Sequence, residues 1–324
     1  MKKIIAIITG GDSSEIIISL RSAEQVKQCI DNEYFQPFIV YIKGDDWHVV
    51  LDDSRECPVN RHDFTFQLNE LTIGFDFAFL AMHGPPGEDG KLQAYFDLIG
   101  IPYSTSGVLS LALTFNKYTT KMFLSRFGIK MAESILIRQG DQYDPEKIIE
   151  TLGLPCFIKP NCGGSSFGVS KINRAESLEK AIREAMTEDS DVLVEAFIEG
   201  PELTCGLVKF ADDELIFPVT EIVSKKEFFD YEAKYIEGMA DEIVPAQIPD
   251  DLARDCQLLA SKIYSLLDCR GIVRVDFINR NGELYFLELN GIPGMTKESI
   301  VPKMIRALGL TEEEVYRKII EDLS

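Results

Sequence analysis

The chain predicts an α/β fold made of more than one unit. Short apolar, β-prone runs alternate with helical stretches along its whole length, and 324 residues suffice for two or three separate cores. A content of 45% hydrophobic and 27% charged residues is that of an ordinary globular protein. No repeat or low-complexity tract interrupts the alternation.

Ile4–Ile8 reads as a short buried strand, Gly10-Gly11 as the turn after it, and Ser13 to Ile30 as a helix. Strands at Phe35–Ile42, Trp47–Leu51 and Phe75–Met82 continue this first unit. Gly100 to Ser104 is a strand entering a turn, and short helices run from there to about Phe127. The second unit has strands near Ser134–Ile137 and Cys156–Lys159, a helix over Ser177–Met186 and a strand at Val192–Glu195. The third runs from Glu202, with a helix over Leu252–Leu267 before a hairpin and a last helix from Thr311, where Glu314 completes a capping box. Boundaries near 116 and 208 divide the chain into 1–116, 117–208 and 209–324.

The formal charge of −20 argues against nucleic acid or an anionic membrane as partner. An anionic ligand would need local lysines and backbone amides to overcome that field. Seven cysteines without a Cys-x-x-Cys pair, and only three histidines, argue against a zinc site and for a reducing, cytoplasmic setting. Met1-Lys2-Lys3 followed by Ile4–Ile8 has the outline of a signal peptide. Its apolar run is too short, and Gly10-Gly11-Asp12 stands where a cleavage region should be. No run approaches the ~18 apolar residues of a membrane helix.

The chemistry concentrates in the hairpin. Arg274 and Asp276 alternate onto one face of its first strand, Glu288 and Asn290 onto one face of its second. A two-residue Asn281-Gly282 loop pairs Arg280 with Glu283 and sends Asp276 and Glu288 to opposite sides. A three-residue loop sets Asn279 against Glu283 and Arg274 opposite Glu288, so that all four polar groups point the same way. The second register is expected, because it leaves Val273, Val275, Phe277, Tyr285, Leu287 and Leu289 as an apolar face. Two carboxylates and an amide oxygen on a rigid sheet suit a hard cation that also binds phosphates; the alternative is an Arg–Glu salt bridge on a solvated face.

Gly10-Gly11-Asp12-Ser13-Ser14 lacks the G-x-G-x-x-G spacing of dinucleotide folds, and no G-x-x-x-x-G-K-[ST] loop is present. Lys159-Pro160-Asn161-Cys162-Gly163-Gly164-Ser165-Ser166-Phe167-Gly168 is a glycine-rich loop with a lysine at its entrance, suited to phosphate oxygens or simply a flexible hairpin. Val192 to Glu202 reads as a strand with a kinked extension. Its backbone could meet an adenine edge and its carboxylates a ribose, or it could be a plain strand edge.

Together these segments resemble the ATP-grasp superfamily and, within it, the D-alanine–D-alanine ligases. The resemblance runs nearly the whole chain and is carried by His83-Gly84-Pro85-Pro86-Gly87-Glu88-Asp89-Gly90, the Gly-Gly-Ser-Ser loop, Phe229-Asp230-Tyr231-Glu232-Ala233-Lys234-Tyr235 and Pro293-Gly294-Met295-Thr296. It implies an α/β (α+β ATP-grasp) fold, with an N-terminal Rossmann-like parallel sheet domain and two ATP-grasp domains clamping the nucleotide. The implied activity is ATP-dependent ligation of two D-alanines through a D-alanyl phosphate, in supply of peptidoglycan precursors. ATP and two Mg2+ (or Mn2+) are the implied cofactors, and a homodimer the implied assembly.

On residues, the resemblance places Lys117 and Lys159 on ATP phosphates, Lys234 on the terminal phosphoryl group, Glu195 and Ile198 on adenine, and Glu202 on ribose. Asp276, Glu288 and Asn290 would hold the metal ions. Glu15 would hold the ammonium of the first D-alanine, closing a loop with Ser165 and Tyr235, though Asp12 and Glu15 could also cap the first helix. His83 would lie beside that amino acid, Arg274 and the Gly294 amide would form the oxyanion site, and Ser299 and Ile300 would position the second carboxylate. Residues 223–242 are the expected lid, and Tyr235, where phenylalanine accompanies D-lactate use, argues for the dipeptide. Departures from the pattern are Gly291-Ile292 after Asn290, Asn116 before Lys117, Ile16-Ile17-Ile18, and Ile300 in place of leucine. Competing readings are another ATP-grasp ligase and a non-catalytic nucleotide sensor.

Overall fold

The computed structural model describes residues 2–164, 167–224 and 240–324, with backbone alone at 224 and 240. The first sheet contains β1 (Lys3–Gly10), β2 (Phe35–Lys43), β3 (Asp46–Val50), β4 (Glu56–Asn60), β5 (Thr65–Leu68), β6 (Leu71–Gly74) and β7 (Phe77–Leu80), in the order β6-β5-β4-β3-β2-β1-β7. It is parallel only where β1 lies between β2 and β7; β2 to β6 form an antiparallel meander. Central β1 is buried on both faces from Ile5 to Gly10, as its unbroken apolar run requires of a parallel strand. The helix α1 (Ile16–Cys29) follows it, and α2 (Lys91–Ile99) and α3 (Val108–Phe115) follow β7. Gly100 to Ser104 forms no full strand, only a bridge from Tyr103 to Ala78.

The helix α4 (Lys117–Ser125) leads to a second, four-stranded sheet of β8 (Ser134–Arg138), β9 (Cys156–Pro160), β10 (Ser170–Ile172) and β11 (Asp191–Ala196), in the order β10-β9-β11-β8. The helices α5 (Pro145–Leu152) and α6 (Leu178–Ala185) cover it, and Ile148, Ile158, Leu178, Ile182 and Val194 share its separate core. The third sheet holds β12 (Glu202–Lys209), β13 (Glu214–Ile216), β14 (Thr220–Ser224), β15 (Ala240–Ile243), β16 (Val273–Arg280) and β17 (Glu283–Asn290). Against it lie α7 (Asp250–Leu266), α8 (Ile300–Ala307) and α9 (Glu312–Leu323), the last begun by the expected Thr311–Glu314 capping box. Because β12 starts at Glu202, a boundary at 208 would cut a strand, and the crossing between the second and third sheets falls at 197–201.

The first and third sheets share one core. Ile5, Ile7 and Phe79 pack with Val208, Phe217, Met304, Ile305 and Tyr316. At the crossing, Gly271 has φ +62°, and a Cβ there would fall 1.9 Å from the Ser104 carbonyl oxygen, so only glycine lets the two backbones meet. These packed units bring the glycine-rich loop, the start of α1 and the β16–β17 hairpin to one place.

Candidate active site

The hairpin turns differently from expectation and reaches the same chemical result. Arg280 pairs with Glu283 across a two-residue loop, with Asn281 at φ 54° and Gly282 at φ 87°, the left-handed pair that an Asn-Gly turn supplies. Phe277 then stands opposite Phe286, while Asp276 stands opposite Glu288 and Arg274 opposite Asn290. Leu287 is therefore the extra residue of a β-bulge, which returns Glu288 and Asn290 to the face of Arg274 and Asp276. The apolar face is corrected accordingly: Val273, Val275, Phe277 and Leu289 are buried as expected, but Phe286 fills the place assigned to Tyr285 and Leu287.

Asp276, 2% exposed, is gripped from three sides. Arg274 Nε and Nη2 donate to its two oxygens at 2.8 Å each, Thr204 Oγ1 donates at 2.5 Å and Asn290 Nδ2 at 3.0 Å. Burial disfavours the charge on Arg274, but Asp276, Glu288 and Glu202 around it outweigh burial and raise its pKa. Among the described residues no three His, Cys, Asp or Glu side chains form a metal cluster. The donors here are two carboxylates and an amide, an incomplete set that fits Mg2+, which commonly takes one or two carboxylates and completes its shell with phosphate and water.

The first unit contributes an acidic rim. Glu15 is the N-cap residue of α1 yet makes no side-chain cap bond, and Asp12 instead accepts from the Gly44 amide at 3.0 Å, so neither caps the helix with its carboxylate. A Cβ at Gly164 would lie 2.7 Å from Glu15 Oε2, which places the glycine-rich loop directly over this carboxylate. His83 is 6% exposed. Its Nε2 shares a 3.2 Å hydrogen bond with Ser22 Oγ, and its ring also bonds the backbone of Ile292. Burial lowers its pKa and Arg274 adds to this, against the pull of Glu15 and the Ile292 bond, so the neutral imidazole is favoured. Glu88, of the His83–Gly90 segment, accepts from the Gly84 amide at 2.7 Å. Burial and the nearby Glu15 raise its pKa to about 8.

The second unit holds a buried charge cluster. Glu195 on β11 is paired through Oε2 with Lys159 of β9 and through Oε1 with Lys121 of α4; all three are at most 7% exposed. Burial opposes the charge of Glu195, but the two lysines win and hold its pKa low. Lys121 was missed from sequence, although it lies one helical turn after Lys117 and next to buried Thr120. Asn116, a departure from the family pattern, caps α4 by accepting from the Thr119 amide, which an asparagine does as well as an aspartate. The Lys117 amide donates to the Asn161 carbonyl at 3.0 Å, and Lys117 Nζ donates to the Gly163 carbonyl at 2.5 Å, which holds that ammonium beside the loop.

Ile198 is half-buried just beyond β11, and half-buried Glu202 opens β12 opposite Ile278. A Cβ at Gly294 would touch Ser299 Oγ at 2.9 Å, and Ser299 and Ile300 form the N-cap and first turn of α8, whose free amides suit a carboxylate. Gly291 is pressed on α3, where a Cβ would meet Leu111 at 2.5 Å, and Ile292 is 3% exposed beside His83, so this departure is a packing feature. Ser165, Lys234, Tyr235 and most of the expected lid lie outside the described residues.

Comparison with known proteins agrees with this geometry over the whole chain. Residues 4–106 match the D-ala D-ala ligase N-terminus family model and 123–321 the C-terminus model. Curated relatives named D-alanine–D-alanine ligase are 49% identical in Phocaeicola vulgatus and 50% in Bacteroides thetaiotaomicron, each over 99% of both chains. Among solved structures, the VanG D-Ala:D-Ser ligase from Enterococcus faecalis superposes with a TM-score of 0.89 at 33% identity, covering 100% of both chains. The ATP complex of Bacillus anthracis D-alanine–D-alanine ligase superposes at 0.79 and 27% identity, covering 99% of this chain and 97% of that one. The chain belongs to the D-alanine–D-alanine ligase family.

Proposed function

We propose that the protein joins two D-alanines at the expense of ATP, through a D-alanyl phosphate. The observation that carries this is the placement of Arg274, Asp276, Glu288 and Asn290 on one face by the Leu287 bulge. A carboxylate is a poor acyl donor and is activated by phosphorylation. Lys117, Lys159 and Lys234 position the ATP phosphates, Glu195 and Ile198 the base, and Glu202 the ribose. Asp276, Glu288 and Asn290 would hold Mg2+, which when bound neutralises phosphate charge. Glu15, with Ser165 and Tyr235, holds the first D-alanine by its ammonium, and His83 lies beside it. Ser299, Ile300 and the first turn of α8 take the carboxylate of the second. When the second amine attacks, negative charge grows on the carbonyl oxygen, and the Arg274 guanidinium with the Gly294 amide offsets it.

The solved D-Ala:D-Ser ligase favours testing a second acceptor. No described helix is long and apolar enough to cross a membrane. A cytoplasmic homodimer, with units meeting near 116 and at 197–201, belongs to the same proposal. The test is phosphate release from ATP and Mg2+ with D-alanine, L-alanine, or D-alanine plus D-serine or D-lactate, with products weighed by mass spectrometry. D-alanine-dependent release yielding the dipeptide supports the proposal. ATP binding without such release rejects it.

A further inference from the structure

Glu195 carries one more lysine than its charge requires. Each of its oxygens has its own ammonium partner, Oε1 with Lys121 and Oε2 with Lys159, in a cluster closed from solvent. Burying a second ammonium beside a pair already neutral is costly, and it lowers the Lys121 pKa through burial, against Glu195 and with repulsion from Lys159. Such an arrangement is useful if one lysine leaves. Lys159 stands at the mouth of the glycine-rich loop, at the end of β9, while Lys121 sits on the inner side of α4, whose N-terminus is tied to Asn161.

We infer that Lys121 is a positioning residue for nucleotide choice: it keeps Glu195 ionised and fixed by Oε1 when Lys159 turns to a phosphate, so that the vacated Oε2 accepts a hydrogen bond from the 6-amino group of adenine. This rests on the reading that places Glu195 at the base and Lys159 at the phosphates. With Lys121 absent, the departure of Lys159 would leave a buried carboxylate without a counter-charge, and Lys159 would stay on Glu195 instead of the phosphate. A 6-oxo purine presents an acceptor to Oε2 and gains nothing from its being held there.

The experiment compares KM and kcat for ATP and ITP, by phosphate release at saturating D-alanine and Mg2+, in wild type, K121M, E195Q and the K121M/E195Q double variant. Expected is a fall of about tenfold or more in the ATP-over-ITP preference of K121M, carried by the KM for ATP, as for loss of one charge-assisted hydrogen bond. The double variant should lose no more preference than E195Q alone, because Lys121 acts through Glu195. An unchanged preference in K121M beside an altered one in E195Q overturns the role of Lys121 alone. Equal rises in both KM values in K121M do the same, since they mark a merely structural lysine. An unchanged preference in E195Q overturns the base-site reading and this inference with it. If K121M does not fold, K121R carries the test: it restores the charge and a donor to Oε1 and should keep the preference, and its loss in a folded K121R overturns the inference.

Discussion

Asp276 and Glu288 face each other across the hairpin only because Leu287 is bulged between Glu288 and the turn. Were Leu287 kept in regular alternation instead of bulged, Glu288 and Asn290 would point to the face where Val273, Val275 and Phe277 pack. Deleting Leu287 removes only the unpaired residue and leaves Glu288 opposite Asp276, so ligase turnover is expected to stay within about tenfold of wild type. A loss of about 10²-fold or more in the deletion variant would show that the local bend of the bulge, and not the strand register alone, sets the site.

The polar face was legible in the hairpin because period-two alternation is a local property. Its route was not. Asn281-Gly282 is a strong two-residue turn signal, and the turn obeys it. The expected three-residue loop was a device for bringing four polar groups together. The protein uses a bulge five residues further on instead, at Leu287, and a bulge at a leucine leaves no mark in the hydrophobic pattern.

Arg274 and Asp276 form a two-pronged pair, with the side chain of Arg274 14% and that of Asp276 3% exposed. A lysine at 274 keeps the charge and loses the fork. R274K should lose about 10²–10³ in kcat if the guanidinium stabilises the oxyanion. It should also fall in stability by roughly 1–3 kcal/mol, as for a buried hydrogen-bonded group left partly unpaired. Steady-state kinetics and urea denaturation read the two effects separately. A stability loss with kcat intact would assign Arg274 to structure only.

A methyl group at Gly164 would lie 2.7 Å from Glu15 Oε2 and 2.9 Å from Oε1, so either the loop or that carboxylate must shift to admit it. G164A should push the loop off Glu15 or turn that carboxylate away from the substrate. The expected result is a rise of about tenfold in KM for D-alanine, on the scale of one weakened charge-assisted contact. KM for ATP should move much less. If ATP suffers as much as D-alanine, the loop serves phosphate and not Glu15.

Lys121 and the strands β4 to β6 show what the residues conceal. A lysine on a helix normally reads as solvent-facing, and only the partner on β11, 74 residues away, makes a buried one tolerable. Strands β4 to β6 are four or five residues long, contain Pro58, and turn through Phe64 and Glu70 as well as Asn69 at positive φ, so neither length nor turn residues alone announced them. By contrast β1, β11 and the Thr311 capping box are written locally and were read correctly.

Glu88 gives a pH signature with a definite sign. Burial, then repulsion from Glu15, raises its pKa from 4.5 to about 8, against the Gly84 amide and Lys117. Between those values the folded protein keeps a proton that the unfolded chain has released. Its contribution to stability is therefore complete below the unfolded pKa and is lost as pH rises through the folded one. Glutamine at 88 cannot titrate. The wild-type denaturation midpoint should thus fall relative to that of E88Q between about pH 5.5 and about pH 8. Parallel curves for the two proteins across this range would mean that Glu88 is ionised throughout and that the acidic rim around Glu15 is better solvated than its burial indicates.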